Sequence, residues 1–222
     1  IVDRDKLLHG PKEPTEANLR APEVSRLDMP SVYGGHTSFP VLGLDVSDFA
    51  NDNVGKTRNF VVFTGEASSN ECHSPRQMSF MIDVTSEAHP AVVSSYGVSE
   101  QPGNFCTRGG RFGLHSTNEN MTPIYYKRIV FMTEFNAGVR AVDIRDPYHP
   151  VEIGSYIPAT TPRSDTRCVK PENGPERCKI AIQTNNVDVD DRGYIYITDR
   201  ANNGLHILEL TGKARAVANF PK

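Results

Sequence analysis

Val139-Arg-Ala-Val-Asp143-Ile-Arg-Asp146-Pro-Tyr-His149-Pro150-Val-Glu-Ile-Gly-Ser-Tyr156 is the stretch on which the reading of this chain turns. It holds an aliphatic run closing on Asp143, a turn carrying Asp-Pro and His-Pro, and a second strand-like run ending at Tyr156. The form recurs. Ser79-Phe-Met-Ile-Asp83-Val-Thr is followed by His89-Pro90-Ala-Val-Val-Ser-Ser-Tyr96, while Val41-Leu-Gly-Leu-Asp45-Val-Ser-Asp48 and Leu205-His-Ile-Leu-Glu209-Leu-Thr align on their acidic residue. Three copies are preceded by another apolar run that ends in a carboxylate: Phe60-Val-Val-Phe-Thr-Gly-Glu66, Ile129-Val-Phe-Met-Thr-Glu134 and Tyr194-Ile-Tyr-Ile-Thr-Asp199. In the last copy Ala214-Arg-Ala-Val-Ala-Asn-Phe220 takes the place of the third run. The expected unit is strand, turn, strand, turn, strand.

Outward from that unit, the aligned acidic positions are spaced 38, 60 and 66 residues apart. Apolar runs rich in Val, Ile, Tyr and Phe alternate with Gly, Pro, Asn and Asp clusters, and no helical periodicity competes with them. The chain is therefore expected to be all-β. Units of several strands repeating at forty residues or more are the signature of propeller blades. The 222 residues supply three readable blades and part of a fourth. Since closed rings have four blades or more, the ring is expected to be completed by a missing segment or another chain. The alternative is a small closed ring that uses the first 40 residues. Residues 1–30, charged and Pro-containing with little alternation, are expected to form an extended arm; residues 31–222 carry the blades, with an insertion at 158–182. The start at Ile1-Val2-Asp3 has neither Met nor a signal-like segment, so a processed product or part of a longer chain is expected.

The 139–156 stretch resembles the LVIVD repeat of bacterial β-propeller proteins that are often exported. Tyr194-Ile-Tyr-Ile-Thr-Asp199-Arg-Ala-Asn-Asn-Gly204-Leu-His-Ile-Leu-Glu209-Leu is similar to its strand-turn-strand part. The resemblance covers residues 128–157 and 184–211, is degenerate over 36–98, and leaves 1–30 and 158–182 outside. It implies a fold and brings with it no reaction and no catalytic residues.

Composition narrows the function classes. With 24 basic and 27 acidic residues, a net charge of -3 offers no field that would gather nucleic acid, and no apolar stretch approaches a membrane span. Cys168 and Cys178 bracket a Pro- and Gly-rich loop, and a local disulfide there is expected, with Cys72 and Cys106 able to form a second. Four reduced cysteines in a cytosolic protein is the competing reading. Spacing matches no zinc ribbon. The disulfide reading puts the protein in the periplasm or outside the cell.

Candidate chemistry sits where strand-joining loops would open on one face of the propeller. His36 and His73 lie nine and ten residues before Asp45 and Asp83, in the comparable contexts Gly-His-Thr and Cys-His-Ser, and His115 precedes another strand. Three convergent imidazoles would hold Zn, Cu or Fe with an open position. Equally, each His-Ser/Thr pair can close a turn by side-chain to backbone hydrogen bonds. Glu66 and Glu134 are candidate proton acceptors, although a carboxylate repeated in every copy, Asp199 included, also suits a structural role. Arg108 and Arg111, on a Gly-rich segment, could grip an anion. Asn185 opens a segment with alternating oxygen ligands, but without the spacing and terminal Glu of a calcium loop; calcium is disfavoured. Nucleophile motifs are missing. Two functions follow: an exported propeller that acts as a binding or assembly module for a protein partner, or a metal-dependent enzyme acting on a small molecule at the channel mouth.

Overall fold

In the computed structural model, residues 1–46 and 56–221 are described. Ser47 and Asp48, at the end of the first aliphatic repeat, lie outside them. The chain is all-β, built of four small antiparallel sheets, and the described strands close no barrel. The first sheet takes β1 (Gly35–Asp45), β2 (Thr57–Gly65), β3 (Ser79–Asp83) and β4 (Ala91–Tyr96) in sequence order. The second takes β5 (Ile129–Thr133), β6 (Val139–Asp143) and β7 (Val151–Tyr156), and a hairpin follows from β8 (Thr166–Val169) and β9 (Arg177–Ile180). The last takes β10 (Thr184–Val189), β11 (Ile195–Asp199) and β12 (Gly204–Leu208).

The three larger sheets stack, and burial follows from the stacking. Phe39, Val41, Phe60, Val62 and Met81 of the first sheet meet Val130, Met132 and Val142 of the second. The opposite face of the second sheet, with Ile129, Phe131, Val139 and Ala141, meets Val187, Val189, Ile195 and Ile197 of the third. Covered on both faces, β5 is buried at all of its positions, which is why Ile129–Thr133 reads as a continuous apolar run rather than an alternating one. At one end Leu27, Met29 and Tyr33 pack against Phe80, Ile82 and Phe63, so the N-terminal segment caps the first sheet. At the other end Leu205 and Ile207 of β12 stay exposed.

Several expectations are corrected. Asp45 and Asp83 belong to β1 and β3 of one sheet, so the 38-residue spacing measures two strands within a unit and not one unit to the next. The repeat instead begins one strand earlier: β1, the 115–118 segment bridged to β5, and β10 are the corresponding first strands. The run 214–220 is not a strand; Gly212–Val217 is a helix, α3, because Lys-Ala-Arg-Ala favours helix and Ala214 packs beside Leu210 at the edge of the second core. Nor is the 1–30 segment extended throughout: α1 (Arg4–His9) and α2 (Glu16–Arg20) are short helices, capped by Asp3 and Thr15. The aligned acidic residues Asp83 and Asp143 serve their turns. Each accepts the N–H two residues on, from Thr85 at 2.8 Å and from Arg145 at 3.0 Å, and so shapes its turn.

Both disulfides are formed, Cys72–Cys106 and Cys168–Cys178. The second spans opposed residues of the β8–β9 hairpin. The first ties the β2–β3 loop to the segment over Phe105, Phe112 and Ala137. With sequence separations of 34 and 10, loop-closure entropy predicts that replacing the first pair by Ser costs about 3–4 kcal/mol and the second about 2–3 kcal/mol. Urea unfolding of the two double variants measures the order, and a larger loss from the second pair contradicts it.

Candidate metal centre

The first strand of each stacked sheet is irregular at the same place. In β1 the register shifts between Gly35 and Thr37, and in β10 between Thr184 and Asn186, which leaves His36 and Asn185 as the unmatched residues. In the middle sheet His115 N–H donates to Thr133 O while Thr133 N–H donates to Ser116 O, both at 2.9 Å, so two residues again face one. Bulges turn side chains away from the ladder. Here they bring the rings of His36 and His115 to 4.2 Å between centroids. Glu66 follows the last residue of β2 and completes the group: ligand atoms of His36, Glu66 and His115 all lie within 4.8 Å of one another.

Both imidazoles are held by one nitrogen. His115 is buried, and its Nδ1 lies 2.5 Å from the carbonyl oxygen of Asn185. A carbonyl only accepts, so Nδ1 carries the proton and Nε2 presents its lone pair. Burial, then the neighbouring His36 and Arg200, push its pKa down to about 4, which keeps the ring neutral. The same carbonyl accepts from Ser116 Oγ at 2.8 Å and Thr133 Oγ1 at 2.6 Å, so three side chains of the middle sheet fix its position. His36 Nδ1 pairs with Thr37 Oγ1 at 3.1 Å.

Two guanidinium groups close the other side. Arg111 Nη1 donates to Glu66 Oε1 at 2.9 Å and to Ala67 O at 3.2 Å. Arg200 donates to Glu66 Oε1 from both terminal nitrogens at 3.3 Å, and its Nη2 donates to His115 Nε2 at 2.6 Å. Phe135 lies beneath both cations, with ring-centroid distances of 5.5 Å for Arg111 and 5.0 Å for Arg200. It turns in at a left-handed φ of 47° just after β5 and contacts His115 edge-on at 5.2 Å.

The other sequence candidates fall elsewhere. His73 is exposed in the β2–β3 loop and stands outside the cluster, because its apparent equivalence to His36 came from aligning Asp45 with Asp83. Glu134 is fully buried beside Arg140, Arg76 and the N–H of Val98, and burial raises its pKa to about 8. Arg108 is exposed over Phe105. Asn185 contributes its backbone carbonyl, its amide being turned to Asn186. Asp199 accepts from the N–H groups of Gln183 and Ala201, both at 2.7 Å, and serves its loop. Asp190 accepts from Arg192 and Tyr194 N–H at 3.0 Å, an ordinary hairpin turn. Cys168 and Cys178, close to Glu176, offer no thiolate because they are bonded to each other.

Arg200, Phe135 and the Ser116–Thr133 pair went unnoticed in the sequence. A usable signal existed for the histidines: His36-Thr-Ser and His115-Ser-Thr are near-copies that mark equivalent first strands. Nothing comparable marks Arg200. No protein-family model and no curated protein matches this chain.

Proposed function

We propose that the three stacked sheets are consecutive blades of a β-propeller, and that His36, Glu66 and His115 bind a divalent transition metal at its mouth for chemistry on a small molecule. The observation that carries this reading is the convergence of two imidazoles and one carboxylate from two separate sheets, with each imidazole already anchored through Nδ1. Anchoring of the second nitrogen orients a metal-ligating histidine and selects its tautomer. Two histidines and a carboxylate leave coordination positions open, a set used by non-haem Fe(II) and also suited to Zn or Cu. Glu66 is thereby a ligand and not the proton acceptor. The LVIVD-type assignment and export to an oxidising compartment belong to the same proposal, supported by the repeated strand pattern and the two disulfides.

Elemental analysis of the purified chain, with calorimetric titration of Fe(II), Zn(II) and Co(II), tests the centre. About one metal per chain is expected for the wild type and for His73→Ala. His36→Ala and His115→Ala are each expected to lose affinity by at least about a hundredfold, above the 10–100-fold typical of supporting residues alone. A wild-type chain that takes up no metal sinks the proposal.

A second reading, assembly, is favoured by the asymmetry of the stack. The first sheet is capped by the chain's own Leu27, Met29 and Tyr33, whereas Leu205 and Ile207 leave the last sheet uncovered, 59% and 58% exposed. In a ring that face would meet a further blade. Native mass spectrometry is expected to give a particle heavier than the 24.5 kDa chain; a monomer at all concentrations counts against it.

A further inference from the structure

We infer that the molecule acted on at this centre is a small carboxylate, held across Arg111 and Arg200 beside the metal. The inference rests on the metal reading above and adds the class of ligand. Its starting point is a conflict over one atom. His115 Nε2 has a single lone pair, because Nδ1 carries the proton. Arg200 Nη2 occupies that lone pair at 2.6 Å. A metal on Nε2 therefore displaces the guanidinium.

The displaced group has nowhere neutral to go. Arg200 lies over Phe135 and its side chain is only 32% exposed, so hydration is partial. Its remaining acceptor, Glu66 Oε1, is already shared with Arg111 and lies in the set that binds the metal. Two guanidinium cations and a divalent ion then face the Glu66 carboxylate. That excess of positive charge, open to solvent through Glu66 and Arg111 at 30% side-chain exposure each, calls for an anion from outside.

A planar carboxylate fits best. Guanidinium forks match carboxylates in bidentate geometry, and the pair already converges on one carboxylate oxygen, that of Glu66. Because Arg200 Nη2 starts 2.6 Å from Nε2 and its chain is held over Phe135, the guanidinium that yields Nε2 stays close enough for an anion it grips to lie near the metal. A carboxylate with an oxygen on the adjacent carbon could engage both.

The test uses the full chain loaded with Co(II), whose visible spectrum reports its ligands, titrated with pyruvate, with neutral pyruvamide and with inorganic phosphate. Pyruvate is expected to bind at least tenfold more tightly than pyruvamide, and Arg200→Gln and Arg111→Gln are each expected to weaken it at least tenfold. Co(II) affinity is expected to be equal or higher in Arg200→Gln, since a competitor for Nε2 is removed; a purely structural arginine would lower it. If the wild type holds Co(II) but pyruvate and pyruvamide bind alike, or if neither substitution affects pyruvate, the carboxylate inference fails and the metal centre stands. Phosphate binding more than tenfold tighter than pyruvate overturns the carboxylate assignment. No Co(II) uptake by the wild type overturns the metal reading and this inference with it.

Discussion

Val142→Asp is expected to lower the unfolding free energy by about 4 kcal/mol or more, a large fraction of the about 5–15 kcal/mol that holds a domain folded. Val142 is fully buried in β6, in the layer where the second sheet meets the first. Its neighbours in that layer include Val41, Phe60, Met81 and Val130, which offer an ionised carboxylate neither a hydrogen bond nor a counter-charge. The group must therefore stay protonated, draw in water or force the two sheets apart. Val151→Asp supplies the control: Val151 lies in β7 of the same sheet but is 56% exposed, and the same substitution there is expected to cost under about 1 kcal/mol. Chemical unfolding followed by circular dichroism measures both. Similar losses at the two positions would show that the second sheet is not packed face to face against the first.

The second large effect is a pH dependence centred on Glu134. Its carboxyl is buried, and Oε1 has no hydrogen-bond partner. Arg140 and Arg76 pull its pKa down, but burial outweighs them and raises it from 4.5 to about 8. The guanidinium groups are engaged elsewhere, Arg140 with Glu152 and the carbonyl of Ala137, Arg76 with the carbonyl of Val98. Between those two pKa values the folded chain holds a proton that the unfolded chain has released. Stability is thus fully present below about pH 4.5 and is lost as pH rises through 8, by roughly 5 kcal/mol at about 1.4 kcal/mol per pKa unit. Glu134→Gln keeps the shape and removes the titration. The variant is expected to match the wild type near pH 5 and to exceed it by several kcal/mol above pH 8. Parallel stability curves for the two proteins would mean that the carboxylate is ionised when folded, its burial offset by the two arginines.

Local pattern made much of this architecture legible. Strands β2, β3, β5, β6, β7, β11 and β12 correspond to apolar runs ending at Gly, Pro or acidic turns, because a chain buried on one or two faces must show that burial in its own residues. The Pro- and Gly-rich segment between Cys168 and Cys178 marked its own bridge, since closing a short loop needs only local geometry. Chain units repeated in tandem also reveal themselves, even when the phase of the repeat is misjudged.

That misjudged phase is where local pattern stopped. Asp45 looks like Asp83 because both close an aliphatic run, and only pairing across β1, β2 and β3 puts them in one sheet and makes β1 a first strand. The helix α3 replaced an expected strand because residues 214–220 were aligned with the third runs of the other copies, against the helical propensity of Lys-Ala-Arg-Ala that lets Ala214 reach the second core. Sequence by itself determined seven of the repeat's strands, the turns that close them and the residue types able to bind a metal. Tertiary structure alone decided which of them meet. His36, Glu66, the Arg111–His115 stretch and Arg200 are far apart along the chain, and their convergence depends on bulges and on the stacking of separate sheets, which are properties of strand pairing and not of any one segment.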